Sequence, residues 1–402
     1  MSKESEQYSE REVIPVLRPS LPIADSLLPY LRRIDFSRVY SNFGPLVLEL
    51  EHRLCISFGL PEGSVVTASS GSSALVGAIL ATAGRASPER RYAVIPAFTF
   101  VATAGAVEQS GYRPYLMDIT PNSWTLDPEA LIAHPKLDEI GLVVPVSTFG
   151  RPVELSQWVD FSRRTGIPVV VDGAASFDSI FDQPGRYLGE IPVAVSFHAT
   201  KSFATGEGGC IVTTDTDLML RVSAALNFGF AGTRDSVSAS VNGKMSEYHA
   251  AVGLAELDHW PAKAAAMRNV IENYKRSLRE ADLGDRLYCA PTIGSCYVLF
   301  LSNDSQETTK ICDSLTRHGV DFRFWYGLGL QNHTYYRNCE RGSLPVTEQY
   351  AERLIGLPFA PDLSTGAIRR IAVALREGAE NTAHSTSDVT DFDAGQAAAH
   401  GP

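Results

Sequence analysis

From about residue 21 onward, short apolar runs alternate between two spacings. Val47, Leu50 and Leu54 recur at the interval of one helix face, and the strand-like run SVVTAS follows them. In SSGSSALVGAILATAG, glycine and serine give way to an apolar helix. The strand YAVIPA, a helix through Val101–Glu108, the strands RPYLMDI and GLVVPV, and a helix near Trp158 continue the alternation. IPVVVD then ends at Asp172, and AVSFHAT and GCIVTTD flank a Gly-rich turn. Strands that are apolar at nearly every position are covered on both faces. Their alternation with helices predicts an α/β fold with a mostly parallel sheet. No repeat of solenoid-like period is present.

The pattern changes after about residue 250. A long helix-compatible run over 247–282 leads to the strand CYVLFLS, a helix near Cys312–His318, and a final helix-strand-helix set ending near Arg376. These predict a second, smaller α+β domain over 251–376, following a large domain over 21–250. Residues 1–20 read as a flexible or partner-draped arm. From Glu377 to the end the chain holds no Lys or Arg and is rich in acidic, Ser, Thr, Ala and Gly residues, which predicts a disordered tail over 377–402.

Composition narrows the function classes. At 402 residues the chain is long enough for two cores, and 44% hydrophobic with 20% charged residues is ordinary for a globular enzyme. A formal net charge of −11 argues against a general nucleic-acid binder. The opening MSKESEQYSEREV has no apolar core of a secretory signal, and no apolar run is long enough to cross a bilayer. The six cysteines are scattered and form no CxxC pair, so neither a zinc site nor a disulfide framework is expected, and a reducing cytoplasm fits best.

Three segments carry candidate chemistry. In SFHATKSFATGEGG, Ser196 to Gly209, Lys201 stands between an apolar strand and a Gly-rich turn. A lone lysine is usually a solvated charge, but one beside an apolar pocket suits imine formation with a carbonyl. Asp172 closes IPVVVD, and ligands in open α/β sheets bind just beyond such strand ends. Its bland reading is a helix cap; its chemical reading is a carboxylate that pairs with a protonated pyridine nitrogen. SSGSSAL, Ser69 to Leu75, is a strand-to-helix turn whose N–H groups suit a phosphate, and no GK[ST] follows to make it a nucleotide-hydrolysing loop.

Taken together, these segments resemble the DegT/DnrJ/StrS family of fold-type-I, pyridoxal-phosphate-dependent sugar aminotransferases. SNFGPLVLELEHRL, SSGSSAL, IPAFTFVATAGAVEQSGYRPYLMDI, VVPVSTFGRP, VVVDGAASF, SFHATKSFATGEGG and VNGKMSEYHAAVGLAEL match in family order, as do SCYVLFLSND and LPVTEQYAERLIGLPFAP. The resemblance implies a seven-stranded-type sheet flanked by helices, with a smaller C-terminal domain. It implies Lys201 as the Schiff-base lysine and proton shuttle, and Asp172 as partner of the pyridine nitrogen. Gly71, Ser72 and Ser196 would hold the phosphate, Phe100 would stack on the ring, and Ala175 would pack beside it. Asn242 would reach the phosphate of a neighbouring subunit, making a homodimer with shared active sites. Lys244, Arg323 and Tyr326 are candidate substrate contacts, with Trp325 as an alternative to Tyr326.

The implied reaction moves an amino group from glutamate or glutamine to a keto-sugar, nucleotide-linked, in two half-reactions. Three departures from the family pattern stand out: Ala175 for the usual glutamine, Ser147 for a histidine, and Lys244 for an arginine. All three are expected on the substrate side. Neither His198 nor His249 is given a role, because the lysine is the shuttling base in this chemistry. Lys201 argues against the sugar 3-dehydratases of the family, which carry histidine there. An aminocyclitol or amino-acid substrate, or a non-catalytic regulator, are the remaining alternatives.

Overall fold

The computed structural model describes residues 13–151, 153–289 and 298–383. Its large sheet is built from β1 (Val65–Ala68), β2 (Tyr92–Pro96), β3 (Arg113–Met117), β4 (Ile140–Val143), β5 (Val171–Asp172), β6 (Val193–Ser196) and β7 (Gly209–Val212). Two ladders, β1-β7-β6-β5 and β4-β2-β3, are joined where Val143 pairs with Val169 and Val146 with Asp172. The result is one sheet ordered β1-β7-β6-β5-β4-β2-β3. Only β7 runs antiparallel to its neighbours among these pairings. The mostly parallel seven-stranded sheet expected from the sequence is therefore present.

Alternate strand residues face opposite layers, as the pleat requires. Val65, Val94, Val143, Val171, Val193 and Val195 enter the core beneath the helices Pro45–Phe58 and Glu247–Glu280. Val66, Ala68, Ile95, Leu142, Val170 and Ile211 enter the other, with the helix Gly71–Thr82. That helix is buried at every position from Ala74 to Leu80, so it is apolar all round rather than striped.

A separate three-stranded antiparallel sheet is built from β8 (Leu287–Tyr288), β9 (Val298–Leu301) and, after the short β10 (Glu340–Arg341), β11 (Leu354–Leu357), in the order β11-β9-β8. The helices Ser305–Arg317 and Thr365–Ala383 accompany it, while β10 pairs with the outer edge of β3 in the large sheet. Cys296 and the first residues of SCYVLFLSND lie outside the described residues.

Three boundaries differ from the sequence expectation. The limit at 250/251 falls inside the 34-residue helix Glu247–Glu280. The arm does not hang free from Val13 onward: Ile14 is fully buried and pairs with Val320, and Leu17 pairs with Phe359. The apolar residues of VIPVL give that segment a face to bury; residues 1–12 lie outside the described residues. The last helix continues past Glu377, which bonds His318 at 2.9 Å, while Gly378 lies against Ile311, so 377–383 are not tail. Residues 384–402 lie outside the described residues.

One carboxyl under the sheet makes a pH prediction. Glu51 accepts from the Thr67 N–H at 2.7 Å and the Thr67 hydroxyl at 2.9 Å, and burial pushes its pKa from 4.5 to about 7. A carboxyl raised on folding favours the folded state in its protonated form. That contribution is complete below about 4.5 and is lost as pH rises through about 7. The Tm of Glu51→Gln should therefore gain on wild type by a few degrees between pH 5 and pH 8, measured by calorimetry. A difference that does not change with pH would refute it.

Candidate active site

The carboxyl ends of β1, β2, β5 and β6 converge on a cavity of about 430 Å³. Such ends collect ligands in parallel sheets because the following helices start there with open N–H groups. Gly71 and Ser72 open the helix after β1, and Ser196 ends β6. A Cβ on Gly71 would sit 2.6 Å from the Ser196 Cβ, so only glycine lets the helix start abut that strand. Ser70 caps the helix by accepting from the Ser73 N–H at 3.0 Å, leaving the first N–H groups without intrahelical partners.

Asp172, 7% exposed, lies on the cavity wall at the end of β5. Thr103 donates its hydroxyl to Oδ2 at 2.6 Å, and the Ala174 N–H donates to Oδ1 at 3.1 Å. Burial pushes the Asp172 carboxyl above its ordinary pKa; Thr103, the Ala174 N–H and the positive charge of Lys201 pull the other way.

Lys201 sits in the turn between β6 and β7. The turn is closed by the Lys201 N–H on the His198 carbonyl at 2.8 Å and the Ala199 N–H on the Gly206 carbonyl at 2.8 Å. Gly208, at φ 154°, makes the exit from the turn; a Cβ there would lie 2.3 Å from the Thr205 hydroxyl. Beside the lysine, Ser202 donates to the buried Asp178 at 2.9 Å.

The small unit supplies Arg323, Trp325 and Tyr326 to the same cavity. Tyr326 stacks on Phe149 with ring centroids 4.8 Å apart and an interplanar angle of 11°. Both residues have positive φ, 32° and 55°, a backbone region that bulky side chains rarely enter and that surrounding structure must enforce. Phe100, 54% exposed, precedes the helix Val101–Gln109 and lines the same cavity.

The structure thus brings Lys201, Asp172, Gly71, Ser72, Ser196, Phe100, Arg323 and Tyr326 to one cavity. Ala175, Asn242 and Lys244 do not line it. Ala174 takes the position expected of Ala175, whose carbonyl instead crowds Gly150. Lys244 donates to Asn242 at 2.7 Å and lies 4.2 Å from the Phe228 ring centroid, on a segment held to Ser69 through the Gly243 carbonyl. Ser147 is buried, accepts from Ser176 at 2.8 Å and donates to the Arg151 carbonyl. None of the three departures, Ala175, Ser147 and Lys244, lines the cavity of its own chain.

Sequence reasoning missed Leu17, Glu207 and Thr103. Leu17 and Glu207 line the cavity, whereas Thr103 stands behind Asp172. Leu17 carried a weak signal, the apolar run VIPVL, but the residues that place its segment lie far along the chain. Thr103 carried a weak one, the four-residue interval from Thr99 that puts both on one side of a helix start.

The donor set fits pyridoxal phosphate: helix N–H groups and the Ser196 hydroxyl for the phosphate, the Lys201 amine for the aldehyde, and a buried carboxylate for the ring nitrogen. Among the described residues no group of His, Cys, Asp and Glu could hold a metal ion, and no helix is long and apolar enough to cross a membrane.

Known proteins give the same picture. The model of the DegT/DnrJ/EryC1/StrS aminotransferase family matches residues 23–376. The dTDP-4-amino-4,6-dideoxy-D-glucose transaminase of Escherichia coli is 27% identical over 374 residues, covering 90% of this chain and 98% of that enzyme. A Bacillus cereus protein assigned as a PLP-dependent aminotransferase superposes with a TM-score of 0.81 at 28% identity, covering 90% of this chain and all of that one. DesI, solved with its TDP-sugar product, superposes with a TM-score of 0.80 at 30% identity, covering 94% and 96%. The chain belongs to the DegT/DnrJ/EryC1/StrS aminotransferase family and is a pyridoxal-phosphate-dependent transaminase.

Proposed function

We propose that this transaminase moves an amino group from glutamate or glutamine to a nucleotide-linked keto-sugar. The observation that carries this reading is the cavity itself. It joins Lys201, Asp172 and the Gly71–Ser72 helix start to an aromatic and cationic wall, Arg323, Trp325 and Tyr326, from the other unit. A guanidinium suits a pyrophosphate and aromatic faces suit a sugar or base. The relatives named for dTDP- and TDP-sugars support the same substrate class.

Bound pyridoxal phosphate supplies an electron sink at the donor's α-carbon. The chain's own residues do the rest. The Lys201 amine would hold the cofactor's aldehyde and, when free, would serve as the base that moves the α-proton. Asp172 keeps the ring nitrogen protonated. Gly71, Ser72 and Ser196 anchor the phosphate, and Phe100 covers a ring face and excludes water.

The working unit in this reading is a homodimer with shared sites, Asn242 of each chain serving the other's phosphate. Asn242 and Lys244 lie outside their own chain's cavity, which supports it. So do the exposed Phe36, Tyr40, Phe228 and Tyr248, apolar surface of the kind a partner covers. The five described cysteines are unpaired, in keeping with a reducing cytoplasm.

The test is a panel of acceptors offered to the purified protein in its pyridoxamine form, followed by the return of the pyridoxal absorbance. Nucleotide-linked keto-sugars should restore it at least tenfold faster than the free sugars, aminocyclitol-derived ketones or simple keto acids. Equal rates, or preference for an unlinked ketone, would overturn the substrate assignment.

A further inference from the structure

Behind Asp172 lies a second layer of hydroxyls that the reaction as described does not use. Thr99 and Thr103 are 1% and 0% exposed, and their hydroxyl oxygens are 2.8 Å apart. Thr103 donates to the Asp172 Oδ2 at 2.6 Å, the length of a charge-assisted O–H···O⁻ bond. A hydroxyl has one proton to give. Since Thr103 gives its proton to Asp172, it must accept from Thr99, so the chain is polarised in one direction: Thr99 to Thr103 to carboxylate.

We propose that Thr103, backed by Thr99, is a positioning residue for the cofactor: it fixes Asp172 as an ionised, oriented partner for the ring nitrogen. The proposal rests on the pairing of Asp172 with that nitrogen put forward above. Three groups oppose the effect of burial on Asp172, namely the Thr103 hydroxyl, the Ala174 N–H and Lys201, which is the charged side chain acting on it. Lys201 changes partner and protonation as the reaction runs, so its pull is not constant. The Ala174 N–H is backbone and holds Oδ1. Thr103 is the side chain whose contribution stays the same through the whole cycle, and polarisation by the buried Thr99 strengthens it.

A threonine with only a packing role would be replaced by valine without consequence, since the two share shape. The experiment loads wild type, Thr103→Val, Thr103→Ser, Thr99→Val and Asp172→Asn with pyridoxal phosphate carrying ¹⁵N in the ring. It follows the ¹⁵N shift against pH. Losing a hydrogen bond to a charged group should lower the midpoint for loss of the ring proton by about one unit in Thr103→Val, with a smaller shift in Thr99→Val and recovery in Thr103→Ser. Cofactor affinity should fall about tenfold, and kcat should fall while KM for the amino donor holds. Thr103→Ala, which removes the hydroxyl without needing the pocket to accept valine, should give the same midpoint if Thr103→Val does not fold. A midpoint unchanged in Thr103→Val or Thr103→Ala but shifted in Asp172→Asn overturns the relay and leaves the pairing standing. A midpoint unchanged in Asp172→Asn as well overturns both.

Discussion

Lys201→Ala protein should fold normally and lose transamination by on the order of ten-thousandfold or more, the usual range for losing a general base, with the nucleophile gone as well. The side chain lines the cavity, whereas the turn that carries it is closed by backbone bonds from Lys201 to His198 and from Ala199 to Gly206. Alanine keeps those bonds, so the loss is chemical rather than structural. Borohydride reduction of the loaded wild-type enzyme followed by peptide mapping should place the pyridoxyl label on Lys201; label on another lysine sinks the assignment. The same variant tests the shared sites. Mixed with Asn242→Ala chains, it forms heterodimers in which one site carries both lesions and the other neither, so activity should return to roughly half of wild type per heterodimer. Heterodimers that form and stay inactive would exclude a contribution from the neighbouring chain.

Asp172→Asn should slow the amino-donor half-reaction on the order of a hundredfold or more, measured in a single turnover, with little change in stability. The carboxylate is buried, and burial alone disfavours its charge. A charge kept there against that cost is worth keeping only where another charge meets it. Asparagine retains an oxygen for the Thr103 hydroxyl, so the local packing survives while the ion pair to the ring nitrogen is lost. Turnover near the wild-type rate would refute the pairing.

The parts of this molecule visible in the sequence are those set by near neighbours. Apolar runs such as IPVVVD and AVSFHAT announced buried strands because the strand residues within them, Val171 and Val193 to Ser196, face covered layers. Asp172 was legible because it stands where such a strand stops, and Lys201 because it lies in the Gly-rich turn that follows one. What stayed hidden depends on residues far away in the chain. Ile14 is buried and pairs with Val320, and the turn of helix beyond Glu377 is held by His318 and Ile311, although its composition alone reads as unfolded. Ser147 illustrates the same limit within the site. Its motif placed it on the substrate side, but only the fold shows that its hydroxyl is engaged by Ser176 and the Arg151 carbonyl.

The N-terminal segment has a consequence for synthesis. The Val16 N–H donates to Asp321, 305 residues later, and Leu17, which lines the cavity, pairs with Phe359. A ribosome that has finished the whole large sheet has therefore not yet made the residues that seat this wall. Closing so long a loop is slow relative to local folding, and it comes after it. Residues 14–17 are thus among the last to find their place, and a nascent chain that already holds Lys201, Asp172 and the phosphate cradle still lacks one side of its cavity until synthesis is nearly complete.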